Sequence, residues 1–167
     1  MTEQQHPFVE YLIQLASRDD RAALASLRQG FVNPLRALPL VAPFLRHDDG
    51  RGREEALLLV GGLFALHPVA GNVTLARALR QVATSTGSTS VELRFRALLE
   101  CDADDLSEYL RHGVSLVARE AIPLDYSELL ASVRSWSHET RFVQRRWARQ
   151  FWAVELDSAR FLKSVEG

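Results

Sequence analysis

One cysteine, one lysine and no apolar run approaching the ~20 residues needed to span a bilayer set the first limits on this 167-residue chain. Cys101 alone excludes an internal disulfide framework and any cysteine-clustered zinc site. It falls at the end of a predicted helix beside acids, a setting that raises a thiol pKa and works against nucleophilic use. The opening MTEQQHPFVEYL lacks the basic-then-apolar order of a signal peptide, so a cytoplasmic protein without membrane contacts is expected. The five histidines (His6, His47, His67, His112, His138) have no ligand-like spacing. His47-Asp48 is an HD dipeptide without the further histidines and acids that a metal-dependent phosphohydrolase needs. No glycine-rich phosphate loop follows a strand. The expectation is a protein with no catalytic residues, no metal and no cofactor.

What is present reads as helix. Hydrophobic residues make up 47% and charged residues 25%, ordinary for a globular chain and too apolar for disorder. A chain of this length buries roughly two-thirds of its unfolded surface. The expected fold is all-α, a compact bundle of eight or nine helices with no sheet. It forms one domain, or two packed helical halves divided near residues 84–90, where TSTGSTS is the best linker candidate. Apolar spacing predicts helices over Pro7–Ser17, after Asp19 or Asp20 up to Gly30, and over Glu54–Leu66, Thr74–Thr84, Thr89–Leu99, Asp102–Glu120, Asp125–Trp136 and Glu139–Leu156. Thr89 with Glu92, and Asp125 with Glu128, fit capping boxes. Pro34, Pro39 and Pro43 break the intervening stretch into short turns. No internal repeat suggests a solenoid.

The net charge of −1 argues against a uniformly basic coat, but its distribution is uneven. Residues 134–149 hold five arginines (Arg134, Arg141, Arg145, Arg146, Arg149) against one acid, Glu139, and the chain carries 19 arginines to one lysine. Arginine offers a planar fork for phosphate and stacks on rings; a GC-rich genome yields the same bias with no function attached. At about 100° per residue, Val143, Trp147, Phe151 and Val154 share an arc of about 80°, the core face. Arg141, Arg145, Arg146 and Arg149 occupy a different arc of about 140°, with Phe142 and Trp152 among them. Such a face suits a nucleic-acid backbone; equally, the helix could contact protein on two sides, its aromatics buried and its arginines paired. On the helix from Leu106, a stripe of Leu106, Leu110, Val114 and Val117 lies opposite Arg111, Ser115 and Arg119. The two arginines there are about 12 Å apart along the axis. Arg77 and Arg80 are displayed on the helix after Thr74, and Arg51 and Arg53 make a further basic point.

DRAALASLRQG (Asp20–Gly30), LFALHP (Leu63–Pro68), SVELRFRALLECDADDL (Ser90–Leu106), LRHGVSLV (Leu110–Val117) and VQRRWARQFW (Val143–Trp152) occur in the order found in one known family. The chain resembles the CasB-type small subunit of the type I-E CRISPR surveillance complex, Cascade. The resemblance implies an all-helical, non-catalytic subunit of antiviral defence, present as two copies. Its implied partners are the crRNA-bearing backbone subunits, the large subunit, a second copy of itself, the crRNA and the target DNA. It would help hold the target strand on the guide and the displaced single strand in place, stabilising the R-loop. Guide pairing reads the sequence there, so such a subunit needs backbone contacts and no base code. By position, the family's basic sites fall on Arg53, Arg111, Arg119, Arg145 and Arg146, with Arg77 and Arg80 as additional candidates. Arg149 joins them from the helical face. An adaptor whose arginines meet only protein is the alternative. A helix-turn-helix regulator would want a short exposed recognition helix after a tight turn, and no segment shows one cleanly.

Overall fold

A computed structural model describes residues 5–153. Among these residues lie nine α-helices and a single four-residue strand, with no sheet. Helix α1 (Pro7–Ser17) starts where the spacing predicts, because His6 is extended, its Nδ1 accepts from the Phe8 N–H at 3.1 Å, and Pro7 needs no donor there. Asp20 caps α2 (Arg21–Gln29) through the Ala23 N–H at 3.1 Å. In α2 Leu27 is buried, whereas Ala23 and Leu24 are half-buried. The prolines give two 3₁₀ turns, Pro34–Arg36 and Ala42–Phe44, around a one-turn α3 (Leu38–Val41).

Helix α4 (Arg51–Leu66) is the axis of the molecule, packed against α1, α2 and α3 as well as two later helices. It begins three residues before the expected Glu54. Gly50 takes the extended N-cap position, and Arg51 pairs with Glu55 one turn on at 3.5 Å, so the charged residues from Arg51 onward are already helix. Ala56, Leu57, Val60 and the run from Gly61 to Ala65 are buried, which is why this helix is apolar on nearly every side.

His67 ends α4 as a buried structural residue, its Nε2 at 2.6 Å from the Ile122 carbonyl and its own carbonyl accepting from the Tyr126 hydroxyl. Strand β1 (Ala70–Val73) follows, unforeseen by periodicity. Its partner is one residue, Leu124: the Leu124 N–H donates to the Val69 carbonyl at 3.0 Å and the Asp125 N–H to that of Val73 at 2.9 Å. Four residues bridged to one position form no sheet and leave no alternation to read.

Thr74 caps α5 (Leu75–Thr86), which ends on Gly87 at φ 63°, a left-handed position that glycine adopts without a Cβ clash. Only Gly87 and Ser88 separate α5 from α6 (Thr89–Glu100), so most of the linker candidate is the last turn of a helix. The capping box expected at Thr89 and Glu92 does not form. Ser88 is the cap, accepting from the Ser90 N–H at 3.2 Å, and Glu92 turns to Arg96 and Trp152 instead. Helix α7 (Ala103–Arg119) buries the expected stripe, Leu106, Leu110, Val114 and Val117. Asp125 caps α8 (Tyr126–Arg134) through the Glu128 N–H at 3.0 Å, two residues short of the expected end. The last helix, expected from Glu139, starts later as α9 (Phe142–Ala148), because Arg141 holds a left-handed φ of 56°. It widens into a π turn over Arg149–Ala153. The buried side chains of all these elements form one contiguous core.

Candidate nucleic-acid interface

The seam between α8 and α9 orients the arginine-rich helix. Val143, Trp147 and Phe151 are fully buried, as the helical arc required; Val154 lies outside the described residues. Trp147 meets Trp136 edge-to-face at 5.3 Å. Glu128, reaching up from α8, is the polar centre of this seam. Its Oε1 accepts from the Ser132 hydroxyl at 2.7 Å, the Arg146 guanidinium at 3.0 Å and the Trp147 indole N–H at 3.2 Å. Arg146 also donates to the Ser132 oxygen at 2.9 Å. Nearby, Gln144 donates to the Trp136 carbonyl at 2.8 Å, and the Trp136 indole donates to the Cys101 carbonyl at 3.0 Å. Burial, with Asp105 and Asp102 adding to it, pushes the Cys101 thiol up to about 11, consistent with an inert cysteine.

The structure separates the arginines picked out from the sequence by what already holds each one. The Arg146 guanidinium is held by Glu128 and Ser132 at the α8 seam, its side chain partly open to solvent. Arg53, half-buried at the start of α4, lies 3.4 Å from the Asp49 carboxylate. With Arg134 it faces His6, whose pKa is lowered first by burial and then by these two positive charges. Arg80 lies over the Phe151 ring at 5.6 Å, and Arg111 over the Phe31 ring at 4.4 Å. Arg77, Arg119, Arg145 and Arg149 are exposed, and their guanidinium groups make no hydrogen bond or ion pair with any other described residue.

Packing brings some of these together. The Thr74 hydroxyl donates to Gln150 at 3.0 Å, tying the start of α5 to the π turn. Arg77 follows Thr74 by three residues and Arg149 precedes Gln150, so both flank this tie, with Arg80 at its back over Phe151. Arg145 stands one turn before Arg149. Arg111 and Arg119 lie along the outward side of α7. Arg53 belongs to neither group. The result is two groups of exposed arginines carried on helices, with side chains suited to phosphate oxygens. Among the described residues, no group of three or more His, Cys, Asp or Glu could hold a metal ion.

The two aromatics on the arginine arc part company. Phe142 is 40% exposed, its ring edge-on to His138. Trp152 is half-buried, donates to Glu92 at 3.1 Å and lies under the Arg96 guanidinium at 5.7 Å. Hydrogen bonds from Trp152 and Arg96 hold the Glu92 carboxyl below the usual carboxylate range. Sequence reasoning passed over Arg96 and Phe31; the Glu92–Arg96 spacing of four was a readable sign of the first.

The sequence model of the family described as CRISPR-associated protein Cse2 matches residues 23–152. A CRISPR-associated protein Cse2 of Thermus thermophilus is 39% identical over 167 residues, covering 95% of this chain and 96% of its own length. The crystal structure of M. ruber CasB superposes with a TM-score of 0.79 at 31% identity, over 92% of this chain and 95% of that one. A chain of a CRISPR RNA-guided surveillance complex shares the fold with a TM-score of 0.75 at 22% identity, over 93% of each chain.

Proposed function

The chain belongs to the CRISPR-associated Cse2 family, and from that premise we propose that it is the non-catalytic small subunit of a type I-E Cascade in the cytoplasm. In this reading it binds nucleic-acid backbone without sequence specificity, steadies the target strand on the crRNA and the displaced DNA strand beside it, and so stabilises the R-loop. Its protein partners are the crRNA-binding backbone subunits, the large subunit and a second copy of itself. The fold shared with a chain of a surveillance complex supports the assembly. One observation carries the nucleic-acid role: Arg77, Arg119, Arg145 and Arg149 project from helices with no partner among the described residues, on a chain whose net charge is only −1. Exposed arginines of that kind neutralise phosphates wherever the strand runs, which is what a guide-paired complex needs from its protein.

A second reading, an adaptor with no DNA contact, draws on Val32 and Leu35, which are 86% and 70% exposed and adjoin the Phe31–Arg111 stack. The two readings separate in the assembled complex. Arg145→Ala with Arg149→Ala should leave assembly intact and weaken target DNA binding several-fold. Normal target affinity in an intact complex would favour the adaptor.

A further inference from the structure

Arg111 has acidic neighbours on its own helix: Glu108 one turn before it, with Asp104 and Asp105 further back along the same shallow cavity. Among the described residues it forms no ion pair with any of them. The guanidinium lies instead on the Phe31 ring, 4.4 Å from its centroid. Phe31 follows α2 and is itself seated by a gap in α4. A Cβ placed on Gly62 would fall 2.5 Å from the Phe31 Cζ and 2.7 Å from its Cε2, so the ring edge rests on backbone that any larger residue would cover. A chain of contact therefore runs from bare helix at Gly62, through the half-buried ring, to an exposed cation. With the ring against it and the residue otherwise exposed, the Arg111 guanidinium keeps N–H groups that a phosphate can take in the plane of the fork.

We propose that Phe31, seated on Gly62, is a positioning residue that holds Arg111 away from the acids of α7 and presents it to a phosphate of the bound strand. This rests on the nucleic-acid reading above. Without the ring, the flexible Arg111 side chain falls back toward Glu108, and the phosphate must compete with a carboxylate and with side-chain entropy.

The test uses the full chain and a single-stranded oligothymidylate at low salt, with affinity measured for five variants. Arg111→Ala should lower affinity and reduce the salt slope by about 0.7, the loss of one single-strand phosphate contact. Phe31→Leu keeps an apolar group on Gly62 without the ring face and should weaken binding about two- to fivefold, the range of an exposed cation–π contact. Phe31→Tyr, whose hydroxyl extends from the Cζ that rests against Gly62, should displace the ring and weaken binding as Gly62→Ala does. Gly62→Ala, which displaces the ring from the α4 side while adding a better helix former, should behave as Phe31→Leu with little change in melting temperature. In the Arg111→Ala background, Phe31→Leu should change nothing further. If Arg111→Ala weakens binding while Phe31→Leu binds as the parent does, or if Phe31→Leu weakens it equally without Arg111, the positioning role is overturned and the nucleic-acid reading stands. If the parent chain binds no oligothymidylate, both fall.

Discussion

Arg145 and Arg146 are neighbours on α9 and fall on one arc of its helical wheel, yet they lead different lives. Arg146 reaches into the α8 seam, where Glu128 and Ser132 take its guanidinium and Trp147 donates to the same carboxylate oxygen. Arg145 is exposed and makes no hydrogen bond or ion pair with any other described side chain. The comparison teaches that arginine density locates a helix of interest but does not say which cations are available to a ligand. The position of the counter-charge decides, and here it comes from a different helix, 18 residues earlier in the chain. The inner side of α9 is a structural joint; the outer side is a candidate phosphate surface.

The sharpest way to break this division is at the joint. Trp147→Ala removes a fully buried ring that touches Trp136 and donates to Glu128, and should cost ~3–5 kcal/mol of stability, measured by denaturant unfolding. A midpoint matching the parent would mean that α9 faces the other way. Arg146→Ala should cost less, about 1–2 kcal/mol, because Glu128 keeps two of its three donors and the lost pair is partly open to solvent. Stability equal to the parent would remove Arg146 from the joint and return it to the outer surface. Arg145→Ala with Arg149→Ala should move stability least, within about 0.5 kcal/mol, since neither guanidinium has a hydrogen-bond or ion-pair partner among the described residues. A larger loss in that double variant would show a hidden structural role for the outer face.

Much of this architecture was legible from residue spacing, and several of the exceptions share a cause. The bounds of α1 follow from local chemistry, with a capping His6, Pro7 at the first turn and an apolar stripe. The core arc of Val143, Trp147 and Phe151 and the stripe of α7 also came from local periodicity. Part of what escaped depends on distant partners. Strand β1 exists because Leu124 lies beside it, and Glu92 leaves its capping role because Trp152, 60 residues on, donates to it. The same holds for the candidate site. Eight arginines could be named from the sequence, but Glu128 for Arg146, Asp49 for Arg53, and the rings of Phe151 and Phe31 for Arg80 and Arg111 become visible only in the folded chain. The left-handed Arg141 and the π turn that follows α9 also set where the outer arginines end up, and neither has a sequence signature that spacing can detect.

The most direct test of the outer-face claim is single-stranded DNA binding by the purified chain, titrated against salt. The parent, Arg146→Ala and the Arg145→Ala, Arg149→Ala double variant would be compared. Binding should be independent of sequence and fall steeply with salt; the double variant should lose about 1.4 from the slope of log affinity against log salt, and Arg146→Ala should leave that slope unchanged. A parental slope in the double variant, or no binding by the parent at the lowest salt, would contradict the account.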